Sequence, residues 1–462
     1  MIEFYYKYFD KSYKSKINQL TIDLARLFQL EGVDSLKNDK IILDEKYKSK
    51  LSDKEWLELN NFYNTLYTNE EKLSSVLQKF INKKNSNKNA EYKFIDTFAG
   101  CGGLSLGLEK AGFKPLYVNE IEARYLESYY FNHNLSLDNY YCGDIKDLTK
   151  PEFTEKYKNI DLVVGGPPCQ GFSMANRQRV IDDPRNKLYK YYLELLKNVR
   201  PKLFLMENVK GMMNKSSEIL EDIQNTLGED YTIDIILLNA KDFGVPQNRE
   251  RVFVIGSRLE NIAAKTITSN IYSQKVKKGF SLGNAINDLP KLQPKREKNT
   301  KGIESNEIGY KFRKADLENT VFKQFLNQNK TDYLFNHTNR FNNDRDIEIF
   351  SRLPQGANSL HDSIKDIMPY SSRNHIFKDK YFKLKESEVC KTITSHMKMD
   401  CNMYIHPNQA RGLSPREAAR VQTFPDDFIF TGANNNWYAQ IGNAVPVKLA
   451  EMIGLELIKY LK

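Results

Sequence analysis

Between residues 93 and 257 short apolar runs alternate with helical stretches, and several runs end in glycine or an acidic side chain. The runs are KFIDTF, PLYVNEI, IDLVVGG, KLFLMENV, TIDIILLNA and RVFVIGS. Between them LSLGLEKAGF opens a helix, and RNKLYKYYLELLKNV carries Leu188, Tyr191, Tyr192, Leu195 and Val199 along one helical face, with Pro201 as its stop. This alternation predicts an α/β fold built on a doubly wound sheet.

The flanks read differently. Residues 1–90 have apolar positions at helical spacing, as in Ile17, Leu20, Leu24, Leu27 and Phe28, and predict a helical N-terminal extension ending in the polar linker KKNSNKNAEYK. It reads either as a prop for the main domain or as a DNA-contacting or dimerising accessory. Residues 91–258 form the first part of the α/β domain. Regularity fades around residue 258, and residues 270–405 are rich in Lys, Asn and Asp and irregular, which predicts a second, smaller folding unit with long loops over 259–405. Helical signals return in residues 406–462: Ser414 as N-cap, Pro415 in the first turn and Glu417 at the capping-box position. The stripe Leu449, Ile453, Leu457 and Leu461 needs a sheet to pack on, so the C-terminus is expected to return to the first domain.

A formal charge of +10 and a pI near 9.0 favour a polyanionic partner, nucleic acid before an acidic membrane surface, although a Lys-rich surface also serves solubility. The five cysteines, at 101, 142, 169, 390 and 401, are scattered and lack CxxC spacing, so neither a disulfide framework nor a metal site is expected. With no signal peptide and no apolar run of membrane-spanning length, the expected location is the cytoplasm.

FAGCGG (98–103) follows one run and opens a helix, which lets backbone N–H groups approach a ligand. It is not the GxGxxG fingerprint, because position 105 is Ser. Glu120, ending the next run, suits ribose hydroxyls, and Asp144 in GDI suits an adenine amino group or is a plain turn aspartate. An adenosine-containing ligand follows, with NAD and S-adenosylmethionine both open. Cys169 in GGPPCQGFS and Glu207 in KLFLMEN end two different strands, at the edge where open α/β sheets hold ligands. Glu207 caps an apolar strand, an expensive place for a carboxylate without a task. Arg249 and Arg251 are two apart at a strand start and so share a face. An Arg–Glu pair supporting a buried cysteine explains any one of these residues but is poor for all of them together.

The ordered set FAGCGGLSLGLEKAGF, NEI, GDI, GGPPCQGFS, MENVKGM, QNRER, RGLSPREAARVQTFPDDF and QIGNAVP resembles the cytosine-5 DNA methyltransferase family, of the bacterial restriction–modification type. The resemblance spans about 91–258 and 406–462. It implies a Rossmann-like catalytic domain with a target recognition domain at 259–405. It implies a DNA (cytosine-5)-methyltransferase with S-adenosylmethionine as donor and double-stranded DNA as substrate, with any cognate restriction endonuclease a separate protein; a monomer is the default expectation. Cys169 matches the nucleophile, Glu207 the glutamate of ENV, and Arg249 and Arg251 the arginines that hold the cytosine. The cofactor contacts it implies are Phe98, Ala99, Gly100, Gly102, Gly103, Leu104, Glu120, Ile121, Asp144, Ile145, Pro168, Leu188 and Asn443. Gln170, Ser173 and Thr392 fall on the DNA side. A tRNA cytosine-5 methyltransferase shares this catalytic set, but that branch carries a Cys-Phe-Thr tripeptide absent here. A silent DNA-binding subunit would not need the whole set, and a nicotinamide-dependent oxidoreductase would not explain PPCQ with ENV.

Overall fold

The computed structural model describes residues 33–37, 40–43, 52–54, 56–57, 90–168, 187–297, 305–314, 317–326, 333–369 and 380–462. The N-terminal extension is not wholly helical, as its periodicity suggested. Two strands, β1 (Val33–Lys37) and β2 (Lys40–Leu43), pair antiparallel there. Val33 and the pair Ile41–Ile42 are β-branched and favour extended chain over helix. Asp53, Lys54, Trp56 and Leu57 are helical, while the stripe at 17–28 lies outside the described residues.

The central sheet has seven strands: β3 (Lys93–Thr97), β4 (Lys114–Glu120), β5 (Tyr140–Cys142), β6 (Leu162–Gly165), β7 (Leu203–Val209), β8 (Thr232–Asn239) and β9 (Glu250–Ser257). Their order is β5-β4-β3-β6-β7-β9-β8. All run parallel except β9, which lies antiparallel between β7 and β8. The chain from 240 to 249 contains no crossover helix, so β9 must turn back beside the strand it has just left.

Side chains on β7 alternate between two cores. Leu203 and Leu205 face a layer made of α1 (Gly103–Ala111), whereas Phe204 and Met206 face α2 (Lys187–Val199) and α3 (Ser216–Leu227). The first layer also holds α4 (Ala264–Ser273), through Ala264, Ile267 and Ile271, and the C-terminal α7 (Val447–Leu457), through Leu449, Ile453 and Leu457. The expected return of the C-terminus is therefore present. α7 lies so close to α1 that a Cβ on Gly107 would come within 2.4 Å of the Ala450 Cβ, and one on Gly454 within 2.7 Å of the Ala111 Cβ.

Packing crosses both 258 and 405. α4 lies past 258 yet packs on the sheet, because an amphipathic helix follows the last strand directly. Conversely, α5 (Pro415–Val421) and α6 (Asn434–Asn443) lie past 405. Their Ala418, Val421, Trp437 and Ile441 share a core with Leu282, Ile286, Phe322 and Leu334 of the irregular region. The capping box read at Ser414 and Glu417 is present in full. Within the irregular region β10 (Gly309–Lys314) and β11 (Tyr333–Thr338) form an antiparallel pair. Among the described residues no helix is long and apolar enough to cross a membrane.

Candidate active site

A cavity of about 620 Å³ opens along the carboxyl ends of β3, β4, β6 and β7. At one end lies the turn between β3 and α1. Phe98 takes φ +57°, a left-handed conformation that a bulky side chain adopts only under local constraint, and its neighbours Ala99 and Gly100 line the cavity with it. Gly102 caps α1 with no side-chain cap and no acidic residue in the first turn, so the helix N-terminus is left to favour an anionic ligand. Glu120 accepts the Gly100 amide (2.8 Å) on one oxygen and the Glu122 amide (2.9 Å) on the other, which fixes its carboxylate against the turn. Burial raises the pKa of Glu120, and those backbone donors oppose the shift.

At the other end stands an ion pair. Glu207 Oε1 lies 2.9 Å from Arg251 Nε, each side chain about 15% exposed. Glu207 ends a strand whose Leu203–Met206 are fully buried, and the antiparallel register of β7 and β9, which sets Val209 opposite Arg251, brings that guanidinium to the carboxylate. Arg249 is buried. It donates to the carbonyls of Ile393 (2.6 Å) and Gly442 (3.1 Å), while its Nε has no partner among the described residues. Burial first and then Arg251 lower its pKa to about 9, which leaves it charged at neutral pH. Asn208 donates to Pro167 O (3.1 Å), tying the end of β7 to the start of the PPCQ segment.

The glycine turn held by Glu120 and the Arg–Glu pair thus share one cavity, in a chain that resembles known proteins over the same span. Residues 92–459 match the family described as C-5 cytosine-specific DNA methylase. The type II methyltransferase M.FnuDI of Fusobacterium nucleatum is 33% identical over 376 residues, covering 78% of this chain and 92% of that protein. M.NgoPII of Neisseria gonorrhoeae, also a type II methyltransferase, is 32% identical over 384 residues, covering 80% and 96%. The crystal structure of a DNA modification methyltransferase encoded in an E. coli prophage superposes with a TM-score of 0.62 at 26% identity, covering 80% and 99%. The chain belongs to the C-5 cytosine-specific DNA methylases.

In this methylase the structure brings together most of the residues singled out in the sequence. Phe98, Ala99, Gly100, Gly103, Leu104, Glu120, Ile121, Asp144, Ile145, Pro168, Leu188 and Asn443 line the cavity, as do Glu207, Arg249 and Arg251. Gly102 does not line it. A Cβ there would lie 2.2 Å from His133 Nε2, so this glycine makes room for packing behind the turn. Asp144 is also a turn aspartate, since it accepts the Lys146 amide (2.9 Å). Cys169, Gln170 and Ser173 lie outside the described residues; Pro168, adjoining Cys169 in the chain, is in the cavity wall. Thr392 is not in the cavity wall, and its hydroxyl donates to the Asn248 carbonyl (2.6 Å).

Several wall residues of the methylase were missed in the sequence. Asp96 is buried beneath the turn and accepts from Ser105 (2.5 Å), and burial pushes its pKa up to about 7. Tyr125, Asn208, Thr394, Ser395 and Gln440 are others. Asn208 was within reach, as the middle residue of ENV. Gln247 was signalled only by its motif: it bonds Gln422 (2.7 Å) and the Ile393 amide (2.7 Å), docking the 390–395 segment onto the catalytic side.

Proposed function

We propose that the chain transfers a methyl group from S-adenosylmethionine to carbon 5 of a cytosine extruded from double-stranded DNA, through a transient bond to Cys169. The observation that carries this reading is the single cavity shared by the glycine turn with Glu120 and by the Glu207–Arg251 pair. The residues present fit the donor. Uncapped helical N–H groups suit its carboxylate, Glu120 suits ribose hydroxyls, and Ile121, Ile145 and Leu188 offer apolar contact to an adenine. Bound there, S-adenosylmethionine supplies an electrophilic methyl group on a sulfonium.

The remaining chemistry falls to the protein. Carbon 5 of cytosine is a weak nucleophile until something adds at carbon 6. The Cys169 thiolate forms that bond, leaving electron density at carbon 5, and it is a good leaving group afterwards. Glu207 holds ring nitrogen 3 by a hydrogen bond or a proton, and Arg251 holds Glu207. Water then takes the carbon 5 proton, the electrons of that C–H bond restore the 5,6 double bond as the thiolate leaves, and nitrogen 3 returns its proton to Glu207. The charge of Arg249 and Arg251 favours thiolate over thiol. Because these atoms are inaccessible in a duplex, the base must leave the stack at a cost of a few kcal/mol. Similarity to type II methyltransferases supports a role in protecting DNA from a partner restriction endonuclease.

The test is covalent trapping. Duplex DNA containing 5-fluorocytosine, incubated with the protein and S-adenosylmethionine, should yield a denaturant-resistant complex that Cys169→Ser abolishes together with label transfer. Full label transfer by Cys169→Ser, or active enzyme that never traps, rules the reading out.

A further inference from the structure

The segment from Thr394 to Cys401 leads from the cavity wall to the protein surface. Thr394 and Ser395 stand in the wall with Glu207 and Arg251. A 3-10 turn, Ser395–Lys398, follows, with Met397 fully buried beneath it. His396 and Lys398 are exposed, and Met399 is 63% exposed. One exposed apolar side chain is ordinary on any surface. This one differs in the rigidity of the backbone that carries it. Arg340 donates to Met397 O (2.8 Å) and Met399 O (2.9 Å) and reaches Cys401 Sγ (3.6 Å), with its guanidinium 5.5 Å from the Tyr438 ring. On the other side the segment lies directly on α6: a Cβ on Gly442 would come within 2.1 Å of the Thr394 carbonyl carbon.

We propose that Met399 is the wedge that enters the base stack at the target pair and fills the space the departing cytosine leaves. The inference rests on the base-extrusion reading above. A base held against Glu207 stays joined to its duplex by its own sugar–phosphate backbone, so the duplex lies beside the segment that walls the cavity. An unbranched thioether is slim and adaptable enough to slide between base pairs, as apolar wedges do where proteins unstack DNA. Lys398 and His396, exposed on either side of the buried Met397, stand where phosphates flanking the gap would pass. A wedge works only if its backbone does not yield, and Arg340 supplies that stiffness.

The experiment uses the full chain, S-adenosylhomocysteine, and duplexes of its own recognition sequence, located by bisulfite sequencing of DNA methylated by the protein. A fluorescent cytosine analogue, pyrrolocytosine, replaces the target base and brightens on leaving the stack. Met399→Ala should weaken extrusion from the fully paired duplex about tenfold, yet stay near wild type when the opposite guanine is replaced by an abasic site, where the stack is already broken. Met399→Leu should behave as wild type. Equal brightening of wild type and Met399→Ala on paired DNA overturns the proposal. So does equal loss on both duplexes, which would mark Met399 as merely structural. Wild-type protein that never brightens the paired duplex defeats the extrusion reading itself.

Discussion

Two groups of buried arginines in this molecule are treated in opposite ways. In the C-terminal region Arg411, Arg416 and Arg420 are fully buried, and their guanidinium groups are richly supplied with acceptors. Arg411 makes a two-point pair with Glu417 (2.7 and 2.6 Å), Arg416 donates to the carbonyls of Phe335, Pro425 and Phe428, and Arg420 grips Asp426 at two points (2.7 Å each) and also reaches Asp288. In the cavity wall Arg249 keeps an Nε with no partner among the described residues, and Arg251 shares a partly exposed pair with Glu207. The saturated arginines fasten the 259–405 region to α5 and the loop after it. Arg249 and Arg251 stand instead in a cavity wall, the one with a donor to spare among the described residues and the other in a pair that solvent reaches.

That contrast can be broken by substitution. Glu207→Gln should lower methyl transfer by about two orders of magnitude or more, while urea unfolding shifts by no more than about 1 kcal/mol, because the pair is partly solvated. A large loss of stability would place Glu207 with the structural group. Arg420→Met should do the reverse. It leaves Asp426 and Asp288 buried without a counter-charge, at about 3–5 kcal/mol, visible as a lower urea midpoint whether or not cofactor is present. Retention of the wild-type midpoint would refute the division.

Acid sharpens the comparison. His337 is held down to about 4 by burial, and its neutral ring is satisfied by Ser414 (2.9 Å) and the Pro290 carbonyl (2.8 Å). Burial likewise holds His406 to about 3, and Glu417 is held below the usual carboxylate range, chiefly by the Arg411 guanidinium against its burial. For both histidines the unfolded chain binds protons first, so stability is present above about pH 6.5 and is lost as pH falls toward 4, by roughly 3 kcal/mol for His337 alone. Glu417 acts in the same direction below about pH 4.5. Asp96 in the active site has the opposite sign. Raised to about 7 by burial, it favours the folded state at low pH and withdraws that stability as pH rises from about 4 to 7. Asp96→Asn should therefore raise the unfolding midpoint at pH 8 and leave it nearly unchanged at pH 4, as urea titrations at the two pH values would report. The smallest effect belongs to Thr392→Val: a loss of about 1 kcal/mol in stability from the bond to Asn248, and binding of cognate duplex within twofold of wild type. A larger loss of affinity by fluorescence anisotropy would place Thr392 among the DNA contacts.

What the sequence made legible follows the same line. Strand and helix signals are local, so the runs from KFIDTF to RVFVIGS, the capping box at Ser414 and the stripe on α7 were all readable. Glu207 and the two arginines were readable because charge at the end of an apolar run is costly. The reversal of β9 was not, since an apolar strand has the same pattern in either direction. Nor were the acceptors of Arg249, which come from Ile393 and Gly442, far along the chain. Nor was the packing around the region's ends, where α4 joins the sheet while α5 and α6 share a core with the irregular region, because composition does not report which face a helix buries.

The cavity wall takes Gly442, Asn443, Ala444 and Val445 from the stretch leading into α7, which then seats on α1, the helix opened by the glycine turn. A polypeptide leaving the ribosome therefore makes the turn at 98–103 long before the residues that wall the cavity beside it. Premature stop codons ahead of Gly442 would leave that turn without its wall and α1 without its neighbour.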